Sequence, residues 1–173
     1  LYSTVFDDEA STNIYSGTAP FAGSHQPVGS LSDFDNQSIT GTWELLINNR
    51  HDSSGDVEYT IMVETDGSTP DDPPDYGTPY PSGSTSFAGN DLTAVPITIT
   101  DTGTITDLNV SVTLDHDYNE GLRHTSVTLL SPYGTSVVLG AGDQIDGNWG
   151  GSSGGQLYST VFDDEATTSI YNG

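Results

Sequence analysis

Residues 108–114 read Leu-Asn-Val-Ser-Val-Thr-Leu, an unbroken alternation of aliphatic and polar side chains. Successive side chains of an extended strand point to opposite faces, so this spacing places the four aliphatic residues on one face of a sheet. A helix would scatter them around its circumference. The stretch therefore predicts a β-strand with one face against a hydrophobic core and the other face in solvent.

The same period of two recurs on both sides of this segment. Two longer runs have apolar residues at every second position: Trp43, Leu45 and Ile47, and Val57, Tyr59, Ile61 and Val63. Shorter candidate strands are residues 92–100, 127–130, 136–139 and 159–162. No segment shows a sustained helical period with capping residues, and clusters of Gly, Asp, Ser and Pro separate the strands. We expect an all-β protein, an antiparallel β-sandwich.

The composition is strongly acidic and free of cysteine. Twenty-five Asp and Glu residues stand against two arginines and no lysine, which gives a net charge of −23. Such a surface repels phosphate backbones and anionic lipids, which argues against nucleic-acid and membrane partners. Without cysteine, neither disulfides nor thiolate metal sites contribute to the fold. Two interpretations of the acidity stay open, a solvated surface adapted to high salt and a surface that binds Ca²⁺.

The two ends of the sequence repeat each other. Residues 1–17 read LYSTVFDDEASTNIYSG and residues 157–173 read LYSTVFDDEATTSIYNG, with fourteen of seventeen positions identical. An offset of 156 residues is too long for a solenoid repeat and suits a complete globular domain. We expect the sequence to be one period of a tandem array, a permuted fragment that joins the end of one domain to the beginning of the next.

Residues 65–87 differ from the rest of the chain, because they hold five prolines and few apolar side chains. Such a segment buries too little apolar surface to form a core element, which predicts a semi-extended linker. The predicted organisation is therefore a C-terminal half-domain at 1–64, the linker at 65–87, and the N-terminal half of the next domain at 88–173.

One copy of the repeated segment is redundant in this organisation. If the chain folds alone, we expect a permuted domain closed through the linker, with one copy in the sheet and the other displaced. Exchange of the same element between chains would instead give swapped oligomers.

With the halves rejoined in natural order, five short motifs follow one another. They are the strand at 107–114, Val-Thr-Leu-Leu-Ser-Pro-Tyr-Gly-Thr at 127–135, Thr-Val-Phe-Asp-Asp-Glu-Ala at 160–166, Gly-Thr-Trp-Glu-Leu at 41–45 and Ser-Gly-Asp at 54–56. In this order the sequence resembles the P domain, also called the P/Homo B domain, of proprotein convertases. The resemblance covers nearly everything except the linker.

The resemblance implies a jelly-roll β-sandwich that is not itself catalytic. In convertases such as kexin and furin, the P domain packs on a subtilisin-like protease domain and stabilises it. We therefore expect an accessory domain of a secreted or cell-surface bacterial protein, with the neighbouring domains of its own polypeptide as partners and a serine-type endopeptidase among them. The alternative is an adhesion or carbohydrate-binding repeat of a large secreted or surface protein.

A first candidate calcium site is the loop that follows residue 114. Asp115, Asp117 and Asn119 have the D-x-D-x-N spacing by which alternate loop residues turn oxygen ligands toward one Ca²⁺, and Glu120 comes next. The pattern departs from an EF-hand, because no helices flank it. A calcium loop and a solvated turn both stay open.

A second candidate is the run Asp163, Asp164 and Glu165, which is copied at residues 7–9. Three adjacent carboxylates repel one another, and burial would magnify that repulsion. The run is therefore hydrated, bound to a cation such as Ca²⁺, or hydrogen-bonded to backbone N–H groups, and the sequence leaves these three alternatives open.

The sequence offers little support for catalysis. Residues 150–154 match G-x-S-x-G in form, but a strand pattern follows them where a nucleophile elbow requires a helix. The histidines stand singly at His25, His51, His116 and His124. This spacing gives no zinc motif and selects no base for Ser152 or Ser153, so we expect no catalytic residue.

Calcium binding at these acidic segments predicts a change in stability. Addition of Ca²⁺ to protein treated with EDTA should raise the thermal midpoint, because a ligand that binds only the folded state stabilises it by RT ln(1 + [L]/Kd). Thermal melts at low ionic strength measure this, with Mg²⁺ at the same concentration as the control for general screening. A midpoint that EDTA and Ca²⁺ leave unchanged contradicts the prediction.

Overall fold

The computed structural model describes residues 24–66, 77–118, 121–142 and 156–162. The regular structure of these residues is β-strand, apart from two four-residue 3-10 helices at Leu31–Phe34 and Gly121–His124. The strands are β1 Ser24–His25, β2 Gly41–Asn49, β3 Gly55–Thr65, β4 Thr78–Pro81, β5 Thr85–Phe87, β6 Asp91–Ile99, β7 Ile105–His116, β8 Thr125–Leu130, β9 Ser136–Ala141 and β10 Gln156–Phe162. The all-β prediction is confirmed.

The strands form two sheets, which face each other across one core. The first has the order β1-β10-β7-β3-β4, with β5 also paired to β3, and the second has the order β6-β2-β8-β9. Every pairing is antiparallel except that of β1 with β10. Each predicted half-domain contributes strands to both sheets. In the first sheet β3 of residues 1–64 pairs with β7 of residues 88–173, and in the second sheet β2 lies between β6 and β8. The two halves of the sequence therefore build a single sandwich.

The core follows the period of two that the sequence shows. The alternate residues of β3 and β7 that were predicted to face inward are all 3% exposed or less: Val57, Tyr59, Ile61, Val63, Leu108, Val110, Val112 and Leu114. Trp43 of β2 is fully buried, and its Nε1–H donates to the carbonyl oxygen of Ile39 at 2.9 Å. The ring of Phe34 meets it edge-on at 5.2 Å between centroids, so the 3-10 helix closes over this part of the core.

The structure differs from the predicted linker over its second part. β4 and β5 lie within residues 65–87, and both pair with β3. Pro79 and Pro81 lie in β4 at the edge of the sheet, where a missing N–H need not cost a ladder bond. Phe87 of β5 is only 2% exposed. Backbone pairing with β3, more than side-chain burial, gives this part of the segment its order.

The second copy of the repeated segment occupies a place in the first sheet. β10 runs antiparallel to β7, with Leu157 opposite Leu114 and Phe162 opposite Val110. The first copy, at 1–17, and the end of the second copy, at 163–173, lie outside the described residues.

A hydrogen bond between side chain and backbone joins the two sheets. The hydroxyl of Tyr59 on β3 donates to the carbonyl oxygen of Val95 on β6 at 2.9 Å, across the core. Burial raises the pKa of Tyr59 far above its usual range, so the phenol keeps its proton at every physiological pH. This bond ties the facing strands together at a fixed position.

Replacing Tyr59 by Phe should lower the free energy of unfolding by about 1 kcal/mol, because the ring still fills the core but the hydrogen bond is lost. Urea denaturation monitored by tryptophan fluorescence measures the change. Tyr133→Phe is the matched control: this ring is 60% exposed, and its loss of a hydroxyl should change stability by less than about 0.5 kcal/mol. Equal stability of the two variants would show that the bond to Val95 contributes nothing.

Candidate functional site

Three of the four histidines meet at one end of the sandwich, although the sequence separates them widely. Asn49 ends β2 and pairs with Thr125, the first residue of β8, so His51 and His124 lie just beyond the same pair. His116 ends β7 opposite Gly55, the first residue of β3. A short turn joins β2 to β3, and this turn brings the ends of both sheets together.

These side chains form what we call the histidine cluster: His51, His116, His124 and Tyr118. The centroid of the His51 ring lies 5.3 Å from that of His124 and 6.0 Å from that of His116. The Tyr118 ring stacks on His51 at 4.1 Å with an interplanar angle of 4°. His116 is only 4% exposed, whereas Tyr118 is 38% exposed and forms the outer layer.

Two of the imidazoles accept hydrogen bonds from the backbone in the same local arrangement. Nδ1 of His51 accepts from the N–H of Ser53, and Nδ1 of His116 accepts from the N–H of Tyr118, each at 3.1 Å. A ring nitrogen that accepts a hydrogen bond carries no proton. The network therefore assigns His116 as a neutral imidazole with the proton on Nε2. Each of the two rings closes the turn that follows it.

Asn49 connects the two turns. Its Oδ1 accepts from the N–H of His51 at 3.0 Å and lies 3.3 Å from Nε2 of His116. Its Nδ2 donates to the carbonyl oxygens of Ser53 and Ala88 at 2.7 and 3.2 Å. Asn49 is 1% exposed, and its contact with His116 is buried, whereas its other hydrogen bonds are partly buried. One amide thus fixes the β2–β3 turn, the end of β5 and the His116 ring.

The electrostatics at His116 favour a neutral ring. Burial lowers the pKa of His116 below 6.5, His51 and His124 lower it further, and the carboxylates of Asp117 and Asp115 oppose the shift. Protonation of His116 on Nδ1 would also remove the acceptor of the Tyr118 N–H. His116 thus resists protonation through both its burial and its hydrogen bond.

His51 has a second partner within reach. The Asp52 carboxylate lies 3.2 Å from the same Nδ1 that accepts the Ser53 N–H. Asp52 is largely exposed, so this contact lies at the surface of the β2–β3 turn.

The first two residues of the predicted calcium loop share one side of β7. Asp115 is exposed, His116 points into the core, and Asp117 is exposed again, as alternation requires. Asp117 Oδ2 accepts a hydrogen bond from Ser54 Oγ at 2.6 Å, and its backbone N–H donates to the Ser54 carbonyl at 2.9 Å. Asp115 pairs in register with Asp56 on β3, a neighbour of the same charge. Both residues are exposed, and the Asp117 carboxylate is bound to the adjacent turn.

The remaining predicted ligands lie outside the described residues: Asn119, Glu120, Asp163, Asp164 and Glu165. Within residues 24–66, 77–118 and 121–142, no three His, Asp or Glu side chains are grouped so that they could hold a metal ion. Ser152 and Ser153 also fall outside the description. Calcium binding stays a prediction.

Both arginines of the chain belong to this end of the sandwich. Arg50 precedes His51, Arg123 precedes His124, and the N–H of Arg50 donates to the carbonyl oxygen of His124 at 2.9 Å. Both residues are exposed. The two positive charges of a chain of net charge −23 therefore lie at the same end as the exposed residues Asp52, Asp115 and Asp117.

Comparison of the chain with protein-family models, curated proteins and solved structures finds no match. Among the residues that the structure describes, no helix has the length and apolar character that a membrane crossing demands. The functional inference therefore comes from the residues and their geometry.

The titration of His116 is a test of the cluster. Its folded-state pKa lies below 6.5, so the unfolded chain binds more protons, and the free energy of unfolding should fall as the pH drops below about 6.5. Urea unfolding between about pH 5 and 8 measures the fall, and NMR of the imidazole Cε1–H resonances measures the midpoint.

His116→Asn is the matched variant, because Asn offers an oxygen acceptor near the position of Nδ1 but does not titrate. This variant should lose part of the pH dependence below pH 6.5. A His116 midpoint at or above 6.5, or a variant with the full pH dependence of the parent chain, contradicts the assignment.

Proposed function

We propose that the chain is a non-catalytic β-sandwich module of the P-domain type that stabilises a neighbouring domain of a secreted bacterial protein. The neighbour is a subtilisin-like serine endopeptidase. Support comes from the places that the motifs of the resemblance take in the sandwich. Residues 107–114 belong to β7, residues 41–45 open β2, and residues 127–135 form most of β8 and the turn to β9. Motifs that are distant in sequence thus contribute neighbouring strands to one core.

The Ser-Pro-Tyr-Gly-Thr motif has a structural explanation at the β8–β9 turn. Ser131 is 3% exposed, and its Oγ lies 3.3 and 3.2 Å from the N–H donors of Tyr133 and Thr135. The same hydroxyl donates to Gln37 Oε1 at 3.1 Å. Gly134 has φ 87°, a conformation that glycine adopts without strain. A buried hydroxyl and a glycine at these positions specify the turn, which supports a likeness of fold.

Several side chains of types that often act in catalysis form hydrogen bonds within the fold. Nδ1 of His51 and of His116 hold backbone N–H groups, and the Ser54 hydroxyl donates to Asp117. A catalytic histidine needs a ring nitrogen directed at a nucleophile or a substrate. Each of these three side chains therefore has a structural role within the fold.

The alternative function is an adhesion or carbohydrate-binding repeat. The duplicated ends favour an array, and Tyr133 presents a 60% exposed ring at the tip of the β8–β9 turn, where a sugar ring could stack. The two functions differ in the neighbouring domains that they require.

The coding sequence around this chain should encode a subtilisin-like domain, and deletion of the module should lower the temperature at which that domain loses activity by several degrees. A stabilisation of 1 kcal/mol shifts a midpoint by roughly 2–4 °C in a domain of that size. The measurement is residual peptidase activity after heating, with and without the module. Thr98→Ala, at an exposed position of β6, is the control that should leave the midpoint unchanged.

Equal heat resistance with and without the module contradicts the stabilising role. A coding sequence with further copies of residues 4–10 and no protease domain would instead favour the adhesion repeat. Binding of the purified chain to a glycan array, lost in Tyr133→Ser, would then identify the surface involved.

A further inference from the structure

The sequence contains two copies of the segment that forms β10 in the first sheet. β10 lies against β7, and its residues 157–162 read Leu-Tyr-Ser-Thr-Val-Phe. Residues 1–6 of the same chain read Leu-Tyr-Ser-Thr-Val-Phe as well. The chain therefore contains two identical six-residue segments, and one of them occupies the position beside β7.

The pairing between β10 and β7 does not distinguish these two segments. It places Leu157 opposite Leu114, Val161 opposite Ser111 and Phe162 opposite Val110. Main-chain hydrogen bonds are independent of side-chain identity, and here the side chains are also the same. Residues 1–6 can therefore form the same ladder in the same register, with Val5 in place of Val161.

The position of β10 allows it to be exchanged. On its far side it pairs with β1 through two residues only, with Ser24 opposite Val161 and His25 opposite Phe162. β7 keeps its long pairing with β3 when β10 leaves. Removal of β10 exposes the backbone donors and acceptors along one side of β7, which is the type of edge that accepts an added strand.

We propose that β7 accepts residues 1–6 of a second copy of this chain in place of β10. The exchanged strand makes the contacts of the one it replaces, so little free energy separates the two arrangements apart from the cost of association. The chain's own β10 has the advantage of a high effective concentration, on the order of mM, because it belongs to the same polypeptide. Exchange between chains therefore depends on protein concentration and on opening of the sheet edge. This proposal does not rest on the proposed function.

Engineered cysteines can trap the exchanged pair, because the natural chain has none. One chain carries Val5→Cys and a second carries Ser111→Cys, the partner position of Val161. The two are mixed at high concentration, unfolded in urea, refolded together and oxidised. We expect a heterodimer linked by a disulfide between the two substituted positions, 5 and 111, and identified by intact mass and peptide mapping.

The control acceptor is a chain with Thr98→Cys, an exposed position on the other sheet. Linkage to position 111 should exceed linkage to position 98 by at least several-fold. Equal yields at the two positions, or no linkage at position 111, overturn the proposal. All three substitutions are small, so the variants keep the core intact.

A pair of proline variants tests the exchange without cross-linking. Val161→Pro and Val5→Pro place the same disruption in the same local sequence, once in β10 and once in the first copy. Val161→Pro should form dimers whose fraction rises as the protein concentration approaches about 1 mM, where residues 1–6 of another chain compete with the chain's own copy for the vacated place. Analytical ultracentrifugation measures this fraction. Val5→Pro should stay monomeric at the same concentrations.

The remaining outcomes of this pair are also decisive. A Val161→Pro chain that stays folded and monomeric means that its own first copy fills the place, which overturns exchange between chains. An unfolded Val161→Pro chain means that residues 1–6 cannot replace β10, and this overturns it too. The double variant should be less stable than either single variant if the two copies substitute for each other.

Discussion

β3 and β7 pair along their length, from Gly55 opposite His116 to Thr65 opposite Ile105, and the rest of the molecule depends on this ladder. It unites a strand from each half of the sequence at the centre of the first sheet. Its inner faces supply much of the core, its outer edges receive β4, β5 and β10, and its first pair fixes the end at which the histidines meet. The loss of this pairing would separate the two halves of the chain.

The close approach at the start of the ladder explains why glycine occupies position 55. A Cβ at this point would overlap the Asp115 carbonyl oxygen and the ring of Phe87. Because the position has no side chain, Phe87 packs at 5.5 Å from the His116 ring, between centroids. The buried His116 ring accepts a hydrogen bond from the Tyr118 N–H through its Nδ1. A backbone constraint at one end of the sheet thus determines the environment of His116, the titratable group at the end of β7.

Much of the fold was predictable from local pattern, and much of the candidate site was not. Strand patterns in the sequence predicted β2, β3, β6, β7, β8 and β9, and the last residues of β10. They failed for residues 78–87, whose strands depend on pairing with β3 more than on buried side chains. They also missed the histidine cluster. Each histidine lies at or just beyond the end of a strand pattern, but their meeting requires knowledge of which strands are neighbours.

The sequence by itself determined the strand period, the inward and outward faces, the acidic surface and the duplication of one strand. These are properties of local spacing, composition and identity, and no contact between distant residues is needed to deduce them. The tertiary structure decided that the two halves share one sandwich, that β10 is the copy beside β7, and that His51, His116 and His124 share one end. The physical reason is that strand pairing joins backbone groups that are far apart in the chain. Because these groups are the same in every strand, the packing of the whole core determines which strands become neighbours.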